Sequence, residues 1–182
     1  IAYSFLEEKN CSFEKIKPYW AYMPQTQSLY PDLSVGEHLD FFCSLYDMSE
    51  EDFERKKAEL LYLTRLSKFV DRPAGKLSGG MYKKLGLMCS LLRDPKMLIL
   101  DEPTNGVDPI SRREFWELLH HLKGITMIVA TAYMDEAERC ENIFLLDGGQ
   151  LMDCGEPQHL LEKNKVRDFN AFFIQRARSA DA

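Results

Sequence analysis

Met97-Leu98-Ile99-Leu100 is an unbroken apolar run that stops at Asp101-Glu102-Pro103. It has no alternation of polar and apolar residues, so both of its faces need cover. That is the condition of a strand inside a parallel sheet, and it predicts an α/β domain. Such a strand delivers Asp101 and Glu102 together at its carboxyl end. Upstream, Leu77-Ser78-Gly79-Gly80-Met81 reads as a helix start. Ser78 is a good N-cap, and two glycines leave the first backbone N–H groups uncovered, so the helix can present donors and the positive end of its dipole to an anion. A phosphate-binding turn followed by an acidic pair suited to a metal and a water points to nucleotide chemistry.

The surrounding segments suit that class. A short β-like run over Ile1–Leu6 precedes a charged turn, and Trp20–Met23 is a second strand candidate ending at Pro24 and Gln25. Ser34 and Glu37 form a capping box for a helix to about Tyr46. Ser49 starts another, carrying Phe53, Leu60 and Leu61 toward a core. The helix opened by Ser78 runs to about Leu92 with an apolar stripe of Leu85, Met88, Leu91 and Leu92, and Asp94-Pro95 ends it. Asp108-Pro109 reads as N-cap and first residue of a helix bearing Phe115, Leu118, Leu119 and Leu122. Ile125–Ala130 is expected to be another buried strand. Asn142–Leu146 is a last strand, leading through Asp147-Gly148-Gly149-Gln150 into a hairpin return. Phe169 to Ile174 suits an amphipathic helix, and Arg176 to Ala182 reads as a linker or frayed end.

Composition narrows the function. A net charge of −6 argues against a nucleic-acid surface, and no nucleic-acid partner is expected. No stretch is long and apolar enough to span a bilayer, so a membrane role requires a partner or a further part of the polypeptide. Cys11, Cys43, Cys89, Cys140 and Cys154 are scattered without a C-x-x-C pair and suit a reducing compartment. His120 and His121 are adjacent on a helix and cannot share a face, while His38 and His159 stand alone. No His/Cys spacing resembles a metal-ligand set.

The ordered series Leu77-Ser78-Gly79-Gly80-Met81, an amphipathic helix, Arg93-Asp94-Pro95, an apolar strand, Asp101-Glu102-Pro103-Thr104-Asn105-Gly106 and Val107-Asp108-Pro109 resembles the signature and Walker B motifs of ATP-binding cassette (ABC) ATPases, the motors of ABC transporters. The resemblance covers about Trp20 to Leu161. It implies a P-loop NTPase (RecA-like) core with a mainly parallel sheet and an inserted α-helical subdomain. Residues 1–27 would be a remnant of the nucleotide-binding core, 28–93 the helical subdomain with the signature, 94–161 the RecA-like core, and 162–182 a C-terminal helix or linker. It implies ATP and Mg2+ as cofactors. Asp101 would order the magnesium shell, with Gln25 of the segment Tyr22-Met23-Pro24-Gln25, similar to the Q-loop, reaching the metal and the attacking water. Glu102 would activate that water, since phosphoryl transfer depends on positioning and charge neutralisation. Ser78, Gly79 and Gly80 would bind, in trans, the γ-phosphate of ATP held mainly by a second cassette, and Asp108 resembles the D-loop aspartate at that dimer interface. Met81 stands where the usual motif has Gln, a departure seen in the exporter-like branch. The segment Leu29 to Val35 would lie near the surface that receives a permease.

Two departures stand out. The family has a histidine before Tyr133-Met134-Asp135-Glu136-Ala137, where this chain has Ala132, and a methyl group cannot contact a phosphate. Nor does G-x-x-x-x-G-K-[S/T] occur: Gly75-Lys76 is followed by Leu77 and has Val70 at the first glycine position. The chain is therefore expected to begin just after a P-loop helix, with about forty to fifty residues of the cassette preceding it. The resemblance implies the ATP-binding subunit or half of a drug or small-molecule exporter, at the cytoplasmic face of the cell membrane, with a transmembrane permease subunit or domain and a second cassette, of the same or another chain, as partners. A soluble ABC ATPase working on ribosomes and a degenerate regulatory cassette, the latter suggested by Ala132, are the alternatives.

Overall fold

The run from Met97 to Leu100 becomes the middle strand of a three-stranded parallel sheet, where neighbours on both sides satisfy its backbone and helices cover its faces. The computed structural model describes residues 13–46 and 48–180. The run expected over Ile1–Leu6 lies outside them. In chain order the elements are α1 (Phe13–Ile16), β1 (Trp20–Met23), α2 (Val35–Ser44), α3 (Glu50–Thr64), α4 (Gly79–Leu91), β2 (Met97–Asp101), α5 (Pro109–His121), β3 (Thr126–Ala130), α6 (Met134–Ala137), β4 (Ile143–Asp147), β5 (Gln150–Gly155), α7 (Pro157–Asn164) and α8 (Phe169–Ala180). They divide into two units, Ile1–Ala130 and Thr131–Ala182.

In the first unit the strand order is β1-β2-β3, with Tyr22 opposite Ile99 and Ile99 opposite Ile128. Leu98 and Leu100 are fully buried, in a core with Met23, Leu85, Leu87, Met88, Leu92 and Phe115. The connection from β1 to β2 carries α2, α3 and α4, each opened by a serine. Ser34 and Glu37 form the expected capping box, with Glu37 Oε2 accepting the Ser34 N–H at 2.7 Å and Ser34 Oγ the Glu37 N–H at 3.2 Å. Ser49 accepts from the Asp52 N–H at 3.2 Å. Each cap satisfies a backbone donor that a helix leaves open at its first turn. Backbone bonds from Val35 to Arg72, Gly36 to Val70, Ala74 to Leu33 and Gly75 to Pro31 zip the start of α2 to the segment before Leu77.

Three expectations change here. Ile125–Ala130 was expected to be buried, yet Thr126, Ile128 and Ala130 face solvent and Ile128 is half exposed. Among the described residues β3 pairs only with β2. The apolar stripe expected on α4 is instead near-complete burial from Lys83 through Cys89, because β1, α2, α3 and α5 surround the helix. And α2 stops at Ser44, two residues short of Tyr46.

The second unit is built on the antiparallel pair β4 and β5, joined through Gly148 and Gly149, both with positive φ as a tight hairpin turn demands. Its core is Leu145, Leu160, Phe169 and Phe172, the two phenylalanine rings meeting edge-on at 5.6 Å. β4 is shifted by one residue from the expected strand. The backbone of α8 stays helical to Ala180, where the residues from Arg176 were expected to fray.

Candidate functional site

Ser78, Gly79 and Gly80 lie at the start of α4, and Asp101 and Glu102 at the carboxyl end of β2, all within the first unit. Ser78 has extended backbone angles and its hydroxyl accepts the Met81 N–H at 3.3 Å, as an N-cap should. Ser78 and Gly79 are exposed, leaving the turn open to a ligand, whereas Gly80 is buried. A β-carbon at Gly80 would sit 2.5 Å from the Ser111 β-carbon, and one at Gly79 would meet nothing nearer than the Gly106 carbonyl oxygen at 3.7 Å. The two glycines therefore differ: Gly79 leaves a donor uncovered, and Gly80 lets α4 approach α5.

Asp108 opens α5, its Oδ1 accepting the Ile110 N–H at 3.1 Å and the Ser111 N–H at 3.0 Å. The backbone N–H of Ser111, first among these donors, holds the carboxyl below its ordinary range. The expected local role of Asp108 as N-cap is thus met by geometry.

Asp101 is half-buried, and the Tyr22 hydroxyl donates to its Oδ2 at 3.1 Å. Glu102 extends the strand ladder by one bond, its N–H donating to the Ala130 carbonyl at 2.9 Å, and then turns with φ of +44°. Its carbonyl accepts from Asn105 at 3.1 Å, closing the turn. A non-glycine residue in left-handed conformation is held there by its surroundings, and such strain gathers at functional sites. The two carboxylates belong to the last residue of β2 and the residue after it. Mg2+ keeps much of its water and binds through one or two carboxylates together with phosphate oxygens, and this pair fits that mode. Among the described residues no cluster of three His, Cys, Asp or Glu forms an all-protein metal cage.

Gln25 is exposed, and its backbone oxygen, not its side chain, is tied to the rest of the unit: the Lys83 ammonium donates to it at 2.8 Å. Two residues on, both polar atoms of the Gln27 side chain are buried with no hydrogen-bond partner among the described residues. The Gln27 amide lies over Gly86, at the border of a cavity of about 310 Å³ that Met23, Leu29 and Phe42 also line.

Ala132 belongs to the second unit and is exposed. The turn around it is fixed by its neighbours: the Thr131 hydroxyl donates to Oε2 of the fully buried Glu136 at 2.6 Å and accepts the Tyr133 N–H at 3.1 Å. Sequence reasoning missed Tyr22, Tyr82, Lys83 and Glu136. For Lys83 a signal existed, since a Lys-Lys pair in the middle of an apolar helix needs partners when the helix is buried.

The sequence profile of the ABC transporter family matches residues 6–105. A protein of Escherichia coli (strain K12) named "Probable multidrug ABC transporter ATP-binding protein YbhF" is 47% identical over 150 residues, which cover 81% of this chain and 26% of that protein. The Nod factor export ATP-binding protein I of Rhizobium etli is 37% identical over 144 residues, covering 78% of this chain and 46% of the relative. Among solved structures, an ATP-binding subunit of an ABC transporter superposes with a TM-score of 0.75 at 27% identity over 90% of this chain and 70% of its own. The cbiO1 subunit of Clostridium perfringens, part of the transporter complex cbiONQ, does so with 0.75 at 28% identity, over 84% and 62%. The fold is the P-loop NTPase fold of ABC ATP-binding subunits. The chain belongs to the ABC transporter family, as part of its ATP-binding domain, and spans about a quarter to a half of the length of these curated relatives.

Proposed function

We propose that this chain contributes the signature turn and the acidic pair of an ABC exporter motor, in which ATP binding and hydrolysis are coupled to moving a small molecule or drug across a membrane. The observation that carries the reading is one unit holding both an open, serine-capped helix start at Ser78-Gly79 and two carboxylates at the end of its central strand. The names of the relatives, multidrug and Nod factor export proteins, support export over work on ribosomes. No helix among the described residues is long and apolar enough to cross a membrane; in this reading a permease, as a separate subunit or as another domain, supplies the membrane path.

In this reading residues 28–93 act as the helical subdomain and 94–161 as core. Ser78 and the Gly79 and Gly80 N–H groups receive the terminal phosphate of a nucleotide lying mainly on a second cassette, where donors and helix dipole favour an anion. Asp101 and the Gln25 side chain hold Mg2+, which supplies neutralisation of phosphate charge. Glu102 orients the attacking water and takes its proton. Asp108 lies at the interface between cassettes, and the segment from Leu29 to Val35 faces the permease. Ala132, without a ring nitrogen, leaves its site short of one phosphate contact, which favours an asymmetric pair in which the other cassette carries the complete switch.

The test is turnover of Mg-ATP by the full-length polypeptide carrying this chain, reconstituted with its permease. Glu102→Gln keeps the size and removes the base, and should lower kcat by about 10²- to 10⁴-fold with ATP still bound. Native turnover in that variant would overturn the assignment.

A further inference from the structure

Adjacent residues on the second turn of α4 reach the same loop. The Lys83 ammonium donates to the Gln25 carbonyl at 2.8 Å, the Tyr82 hydroxyl donates to the Gln27 carbonyl at 3.0 Å, and the Leu29 N–H donates to the Tyr82 oxygen at 3.2 Å. Three backbone points within five residues are thus held by two side chains, and between them the Gln27 side chain lies over Gly86, where a β-carbon would come within 2.3 Å of it. None of these bonds reads a side chain of the loop, so they fix its path and leave Gln25 free at the surface. The same helix begins at Ser78, four residues before Tyr82.

We infer that Tyr82 and Lys83 are positioning residues which make the loop from Gln25 to Leu29 a rigid attachment of the signature helix, so that displacement of the Ser78-Gly79-Gly80 turn moves Gln25 with it. Resting on the proposed function, this joins two half-sites within one chain: the turn that receives the neighbouring cassette's phosphate and the glutamine that serves this chain's own acidic pair. A helix transmits displacement along its axis because its hydrogen-bond ladder is stiff, and a loop pinned to it at three points follows. Lys83 is nearly buried. Burial lowers its pKa, and the charges of Asp101 and Glu102 oppose that fall.

The test has a nucleotide-free arm and a turnover arm, both on the full-length polypeptide. Tyr82→Phe keeps the ring and removes the oxygen that binds two loop positions. Lys83→Met removes the ammonium, and Lys83→Arg restores a donor. Backbone amide exchange at residues 25–29 should be about tenfold faster in Tyr82→Phe and in Lys83→Met, the loss of roughly one hydrogen bond. It should stay native at 85–91 and return toward native in Lys83→Arg. In turnover, half-saturating Mg2+ should rise at least about threefold in the first two variants, with Lys83→Arg close to native. Unchanged exchange at 25–29 in both disruptive variants overturns the clamp. A loosened loop with unchanged Mg2+ dependence and kcat overturns its link to the acidic pair. An unaltered protein that turns over no ATP counts against the proposed function alone, since exchange is read without nucleotide.

Discussion

Gly80 and Ser111 stand closer than any side chain on the glycine would allow: a β-carbon at Gly80 would lie 2.5 Å from the serine Cβ and 2.7 Å from its Oγ. Both residues are at helix starts, so neither backbone can step aside cheaply. Gly80→Ala should therefore destabilise the first unit by about 1–3 kcal/mol, the range for overpacking. Gly79→Ala, with open space before it, should stay within about 1 kcal/mol of native. Urea denaturation of the two variants decides this, and equal midpoints would show that the close approach does not constrain Gly80.

The bond from Tyr22 to Asp101 makes a titration experiment informative. The accepting carboxylate, then burial, then its charge raise the Tyr22 phenol above its ordinary value. A raised pKa in the folded state means the neutral phenol is favoured by folding. Its contribution is fully present below about pH 10, the unfolded value, and is lost as pH rises through the folded one. Mg2+ bound at Asp101 would neutralise the acceptor, so adding it should bring the Tyr22 titration back down. The difference in tyrosinate absorbance between native protein and Tyr22→Phe reads this directly. A titration indifferent to Mg2+ would argue against metal at Asp101.

At the start of α5 the sign is opposite. Backbone donors depress the Asp108 pKa, so its stabilising effect is present above the unfolded value near 3.9 and is lost as pH falls through the lower folded value. Asp108→Asn keeps a capping oxygen but cannot titrate. Its melting temperature should fall less steeply than that of native protein over that acid window, and parallel curves would sink the prediction.

Thr131 donates to a carboxylate oxygen of Glu136, a side chain with no solvent exposure. Thr131→Val keeps the shape and deletes this donor to a buried carboxylate. The expected loss is about 1.5–3 kcal/mol, the range for hydrogen bonds to charged groups, and Thr131→Ser should recover most of it. Chemical denaturation following the second unit is the measurement, and a loss below about 0.5 kcal/mol would show that water substitutes for the hydroxyl.

Replacing Ala132 by histidine in the full-length polypeptide should raise the single-turnover rate of ATP hydrolysis, since the imidazole supplies the missing phosphate contact. No rise would mean that the switch position does not limit this site.

The residues most legible in the sequence are those whose partners lie within one helical turn. Ser34, Ser49, Ser78 and Asp108 each cap a helix through a donor two or three residues away, so their roles follow from the local order of residue types. Met97 to Leu100 announced a central strand because an apolar run can be satisfied only by cover on both faces. Asp101 and Glu102 followed as the residues at its end.

What the sequence by itself determined is thus the class of domain, the order of the elements that flank its two motifs, and the motifs themselves, which the proposed function sets at a nucleotide. Tertiary structure alone decided that Ile128 of β3 is exposed, that Gly80 answers to Ser111, that Tyr22 binds Asp101 from 79 residues away, and that Lys83 and Tyr82 hold the loop after Gln25. Those outcomes depend on which elements come to lie side by side. Periodicity shows that a face needs covering, but the chemistry of whatever covers it is set only when distant segments meet in the folded chain.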